Sequence, residues 1–155
     1  MGNRRKSREL AMQALFYMDM SRNEAKDVLL ARFCENFKPS NKAKPFFLEL
    51  TNGVMQARAE IDALIERFSS NWKISRMPCV DRNIMRVAVY EMINCDDIPI
   101  KVSINEAIDV GKKFGTEESG AFINGILDSI RKALENKEID TKTNSRSGEI
   151  NWRKA

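Results

Sequence analysis

Arg4, Arg5, Lys6 and Arg8 stand among the first eight residues with no acid between them. Four cations that close together can do one kind of chemistry, which is to hold anions. The whole chain has 26 basic and 22 acidic residues, so the part after Arg8 carries 22 of each sign. Basic character is therefore a property of the first turns. From about Asn3 to Met20 the spacing predicts a helix, with Leu10, Ala11, Ala14, Leu15 and Met18 on one apolar arc. Arg5 falls outside that arc, and Phe16 lies on the same outward flank, with Met12 and Glu9. Cations at a helix N-terminus oppose the macrodipole, which favours acids there. The residues alone leave two readings open. One is a solvated, frayed N-terminus with Phe16 at the edge of a core. The other is an electrostatic handle for phosphates, with an aromatic ring nearby to stack on a base.

Other chemistries find few residues to carry them. Histidine is absent, which removes the commonest general base, triad member and metal ligand. That weighs against an enzyme without closing the class, since carboxylates and lysines remain. Cys34, Cys79 and Cys95 are odd in number, widely spaced and form no Cys-x-x-Cys pair. They read as free thiols of a reducing cytosol, with no structural zinc. No apolar run approaches the roughly 20 residues of a membrane span, and no signal-peptide pattern opens the chain. The expectation is a cytoplasmic protein that neither spans a membrane nor is secreted.

The elements that must position these residues are helices. Gly and Pro are scarce, at 7 and 4, and no hairpin signal separates alternating runs. The organising stretch is Ile84–Ile93, apolar or aromatic except for Arg86 and Glu91. It reads as a central helix buried on several sides, with Asp81 as its N-cap. Ser21 and Asn23 can cap a second helix. A third should run from Pro45 to Ser69, with Gly53 as a close-packing point. Residues 69–80 read as an irregular connection with Trp72 and Ile74 pinned to the core. Ser103 to Glu106 has the pattern of a capping box, and Gly115 stands where a left-handed C-cap is expected. Phe122, Ile123, Ile126, Leu127, Ile130 and Leu134 form the stripe of a last helix, inside which Asn124 and Gly125 read as positions of close helix approach. After Asn136 the chain turns polar and should be mobile, with Trp152 able to dock.

Three segments together resemble a known family. They are R-R-K-S-R-E-L-A-M-Q-A-L-F near the start, D-R-N-I-M-R-V-A-V-Y-E-M, and I-P-I-K-V-S-I-N-E-A-I-D-V-G-K-K-F-G followed by F-I-N-G-I-L-D. In order and spacing, over residues 3 to 134, they resemble the NusB transcription antitermination factors. The second half is the more specific, since many basic helices look like the first segment. The resemblance implies an all-α, NusB-like bundle of two three-helix subbundles, forming one RNA-binding domain over 1–136 with a polar tail over 137–155. It implies binding to the boxA RNA of ribosomal RNA leader transcripts together with NusE, a small-subunit ribosomal protein. The pair would join an antitermination complex on RNA polymerase, without catalysis or cofactor. Members of the family occur as monomers and as homodimers, and the sequence leaves both open.

Family positions carry over onto single residues. The arginine-rich motif falls on Arg4, Arg5, Lys6 and Arg8. The aromatic that is often tyrosine is Phe16, which keeps stacking and lacks the hydroxyl. Phe114 and Phe122 match aromatics that flank the RNA-binding surface. Glu118 stands at an acidic position where some members have aspartate, and its side chain is one methylene longer. Asp81 matches an acidic position on the NusE side. Simpler readings stand beside these: Phe114 and Phe122 as core residues, Asp81 as a cap only, Asn105 and Glu106 as braces of their own helix. Two rival functions are a helical protein-interaction module without an RNA role, and the RNA-binding extension of a ribosomal RNA methyltransferase.

Overall fold

The computed structural model describes residues 2–139 apart from positions 22 and 71. Its helices are α1 (Gly2–Met20), α2 (Lys26–Phe37), α3 (Lys44–Gln56), α4 (Arg58–Arg67), α5 (Cys79–Asn94), α6 (Ile100–Phe114) and α7 (Ser119–Glu135), with a 3₁₀ turn at Ile74–Arg76. Among the described residues there is no strand, and no helix is long and apolar enough to cross a membrane. Helices α2 and α3 pack on α1 as one three-helix group, and α5, α6 and α7 form the second. Helix α5 also touches α1, α3 and α4, so it is the centre of the molecule. Its Ile84, Met85, Val87, Ala88, Val89, Met92 and Ile93 are all buried. A helix with neighbours on every side needs an apolar surface nearly all round.

Arg86 and Glu91, the two charges of the central stretch of α5, are buried as well, and each meets an opposite charge on α1. Arg86 gives Nη1 to Asp19 at 3.0 Å and grips Asp62 of α4 through Nε and Nη2 at 2.7 and 3.0 Å. Glu91 receives Nε and Nη2 of Arg8 at 2.8 and 2.9 Å and the Ser103 hydroxyl at 2.9 Å. The N-terminal end of α1 thus faces the C-terminal half of α5, and the two helices run antiparallel.

Several local expectations give way to tertiary packing. The long third helix is two helices, α3 and α4, with Ala57 between them at φ −108° and ψ 20°. Ser103 opens no capping box: α6 starts at Ile100 behind Pro99, and the Ser103 hydroxyl turns inward to Glu91. Asp81 is no N-cap either, since Pro78 holds that position and Asp81 lies within the first turn. The second helix starts behind Ala25 rather than Ser21 or Asn23. Gly115 is extended, at φ −98° and ψ −155°, rather than left-handed. Met12 and Glu9, placed outward by the helical wheel, are buried. Asn124 and Gly125 are exposed, and a Cβ on Gly125 would meet nothing within 4 Å, so neither brings helices together.

The chain also stays with the bundle past Asn136. Lys137 adopts φ 59°, and the amides of Lys137 and Glu138 donate to the carbonyls of Leu134 and Ala133 at 3.1 and 2.8 Å. That is the Schellman pattern of a helix C-terminus. It delivers Ile139, 2% exposed, to the core. The rest of the expected tail, with Trp152, lies outside the described residues.

Gly53 behaves as its sequence context suggested. A Cβ there would overlap the ring of Tyr90, so α3 and α5 meet with no room for a side chain. Gly53→Ala is expected to destabilise the fold by about 1–3 kcal/mol, the range for overpacking a filled contact. Urea unfolding measures it. An unchanged midpoint would mean that the Tyr90 ring swings aside without strain.

Candidate nucleic-acid interface

Helix α1 offers its N-terminal cations unequally. Arg8 is a buried residue, its side chain 7% exposed and clamped on Glu91, with Nη1 at 3.3 Å from Glu106. This corrects the reading of Arg8 as part of an open handle for phosphates. Burial on its own would lower the Arg8 pKa; the hydrogen bonds and charge of Glu91 outweigh it and hold the guanidinium above its usual value. Arg5 is 45% exposed but engaged, with Nε and Nη2 on Glu106 at 3.0 and 2.6 Å and Nη2 on Asp109 at 2.8 Å. Hydrogen bonds from Arg5 hold the Glu106 carboxyl below the usual carboxylate range. Arg4 is exposed, with a long 3.4 Å contact to Asp97 and its guanidinium 4.7 Å from the centre of the Phe46 ring. Lys6 is exposed, and among the described residues no carboxylate pairs with it.

These contacts form a seam between α1 and α6. Arg5 meets Glu106 and Asp109, then Glu9 meets Lys113 at 3.2 Å, each step one turn or more along both helices. At the end of the seam the helices part around an open apolar groove of about 380 Å³. Phe16, Tyr17 and Met20 of α1 line it with Phe33 and Phe37 of α2 and Phe114 of α6. Phe16 and Phe114 are half-buried, each with part of its ring open. The core-only reading of Phe114 therefore describes half of its surroundings. The Lys113 ammonium lies 5.3 Å from the centre of the Phe114 ring.

The connection after α6 completes the region. Ser119 at the start of α7 accepts the Thr116 amide at 2.9 Å and donates its hydroxyl to Asp81 at 2.7 Å. Asp81 is buried. Burial pushes its carboxyl up, and the Ser119 hydrogen bond partly offsets that. Its side chain is committed to tying α7 to α5, which leaves no exposed carboxylate for a partner at that position. Glu118 occupies the N-cap position of α7 without capping it; its exposed carboxylate accepts the Thr116 hydroxyl at 3.2 Å. Phe122 is half-buried one turn further on.

The NusB family profile matches residues 5–132. The chain belongs to the NusB family. A NusB protein of Desulforapulum autotrophicum is 60% identical over 133 residues, 84% of this chain and 92% of that one. The NusB of Desulfatibacillum aliphaticivorans is 55% identical over 138 residues, 89% of this chain and 96% of that one. Both are named as transcription antitermination proteins. Among solved structures, T. maritima NusB superposes with a TM-score of 0.77 at 38% identity, over 86% of this chain and 94% of that one. A complex of NusB and NusE with double-stranded RNA gives 0.77 at 29% identity, over 86% of this chain and 99% of that one. The two-subbundle helical architecture is that of the NusB fold.

Within this NusB-type frame, the structure gathers Phe16 with Phe114 at the groove, and Glu118 with Phe122 at the start of α7. It separates Arg8 and Asp81 from the surface. Residue-by-residue reading missed Trp72. Expected in the core, Trp72 is 43% exposed and meets Phe122 edge to face, ring centres 5.2 Å apart. A signal for it was present: residues 67–80 contain Arg67, Lys73 and Arg76 and no acid. Among the described residues, no group of three His, Cys, Asp or Glu side chains is placed to hold a metal ion.

Arg8 is expected to report on folding before anything else. Arg8→Ala leaves Glu91 charged and buried without its partner and should cost about 3–5 kcal/mol of stability. Replacing both members by apolar residues, as in Arg8→Met with Glu91→Met, should recover most of that loss. Chemical denaturation of the three proteins decides it. An Arg8→Ala protein as stable as the wild type would return Arg8 to the solvated surface.

Proposed function

We propose that this NusB-family protein binds the boxA element of ribosomal RNA leader transcripts together with NusE, and acts within an antitermination complex on RNA polymerase. The observation that carries the reading is the α1–α6 seam. It begins at exposed cations, Arg4, Arg5 and Lys6, and ends at two half-open aromatic rings, Phe16 and Phe114. Cations supply sequence-independent attraction to phosphates, and exposed rings supply stacking for unpaired bases. The solved relative that holds both NusE and RNA supports the pairing of partners. Phe122 and Glu118 extend the proposed contact surface onto the start of α7. Arg8 enters the proposal as the brace beneath the seam. Asp81 enters it as the tie that positions α7, on the side proposed for NusE.

Because Arg5 is already paired with Glu106 and Asp109, phosphates must compete for it. Arg4 and Lys6 should dominate the salt dependence. Removing one cation that holds a phosphate of single-stranded RNA flattens the log–log slope by about 0.7, so Arg4→Ala with Lys6→Ala should lower it by about 1.4. Phe16→Ala should reduce affinity by about 1–3 kcal/mol and leave the slope unchanged, since stacking releases no counterions. Filter-binding titrations of boxA RNA at several salt concentrations measure both quantities. A double variant with wild-type affinity and slope would remove the first helix from the interface.

NusE should be coupled to RNA binding. Saturating NusE is expected to tighten boxA binding by about 1–3 kcal/mol, the usual size of a coupling between two sites. A scrambled RNA should gain less. Equal affinities with and without NusE would sink the adaptor reading and favour a module that binds proteins alone.

A further inference from the structure

We infer that Trp72, Lys73 and Arg76 extend the RNA path beyond Phe122, with Trp72 as an additional stacking platform and the two cations as phosphate contacts. The inference rests on the RNA-binding reading above and adds a segment outside the family positions assigned there. An indole is highly buried on average and is enriched where proteins meet partners, and Trp72 is 43% exposed. It is also held in place rather than loose. The Trp72 amide donates to the Ser69 carbonyl at 3.2 Å, and the Ser69 hydroxyl donates to the Trp72 carbonyl at 3.1 Å. Two residues on, the Ile74 amide donates to the Glu66 carboxylate at 2.7 Å, and Ile74 packs on the core. The indole is thus presented on a braced turn, edge to face with Phe122.

Charge on the same turn points to the class of ligand. Lys73 and Arg76 are exposed, and among the described residues no carboxylate pairs with either. That contrasts with Arg5, which is held by two acids. Aromatic rings alternating with unneutralised cations suit a single-stranded nucleic acid, whose bases offer π faces and whose backbone offers phosphates. Continuity with the proposed site comes from the Ser119–Asp81 bond, which holds the start of α7 against the start of α5. The turn that carries Trp72 leads directly into α5, so Phe122 and Trp72 become neighbours.

The test uses the full chain and a single-stranded boxA RNA. The sequence has two tryptophans, so Trp152→Phe leaves Trp72 as the sole reporter. Its fluorescence should be quenched on titration with the RNA, with the same midpoint as filter binding. Trp72→Ala should weaken binding about 5- to 150-fold without changing the salt slope. Trp72→Phe should restore most of the affinity, because a ring still stacks. Lys73→Ala with Arg76→Ala should lower the slope by about 1.4. The inference is overturned if Phe16→Ala weakens binding while the Trp72 and Lys73/Arg76 variants bind as the wild type and Trp72 emission does not respond. Loss of NusE binding alone in the Trp72 variants would overturn it in favour of a protein contact. If the wild type binds no RNA at all, the parent reading falls with it.

Discussion

Two buried ion pairs between α1 and α5, Arg8 with Glu91 and Asp19 with Arg86, are the constraint on which the rest of the structure depends. An ion pair of this kind adds little to stability compared with apolar residues of the same shape, because both charges lose their water. Its effect is on arrangement. Of the paired residues, Arg8 precedes Asp19 along α1, and Arg86 precedes Glu91 along α5. Only an antiparallel pairing brings opposite signs together; a parallel one would bury like charges against each other. The central helix can be apolar nearly all round over Ile84–Ile93 and still have one orientation, because Arg86 and Glu91 select it. Asp19 shows how completely the site is satisfied. Burial acts to raise its pKa, but Asn83, Arg86, Arg58 and Arg82 hold the carboxylate well below the usual range.

Fixing α1 in this way decides what its other flank can do. Arg5 and Glu9 come to face Glu106 and Lys113 of α6, and Phe16 shares a groove with Phe114. Opposite charges bridge the two helices, and where the charges end the aromatic rings open a groove. The same bridging neutralises part of the N-terminal cationic cluster. A charge that already has a carboxylate partner attracts a phosphate less than a free one does, so the effective positive charge on this face is smaller than the count of arginines suggests. Specific contacts with rings, and a second protein, then matter more than bulk electrostatics.

The start of α7 is set by a different device. Ser119 bonds at once to the Thr116 amide and to the buried Asp81, which fastens the α6–α7 connection to the first turn of α5. The polar signals that sequence rules assign to helix ends are here spent across helices. Ser103 goes to Glu91 rather than to its own helix, Glu106 reaches α1 rather than back to Ser103, and Asp81 receives Ser119 rather than capping α5. In each case a side chain able to make a local bond makes a long-range one, because the local amide is already served by the carbonyl of the preceding residues or lies elsewhere in the helix.

The sequence by itself determined the helical class, the central position of Ile84–Ile93, the close approach at Gly53 and the family, because these depend on composition, on periodicity and on motifs in order. It also placed the cations of the first turns and the aromatic positions around which the candidate interface is built. What it could not determine was which of those cations face water. On a helical wheel Arg8 and Arg5 are both simply off the apolar arc; only the arrival of Glu91 from α5 makes one of them a buried brace, and only α6 supplies the acids that engage the other. Trp72 was likewise undecidable, since an indole in a loop is equally suited to the core and to the surface until Phe122 of α7 is placed beside it. Burial of a charge or a ring depends on residues far off in the chain, and their approach is set by packing in three dimensions, not by neighbours in sequence.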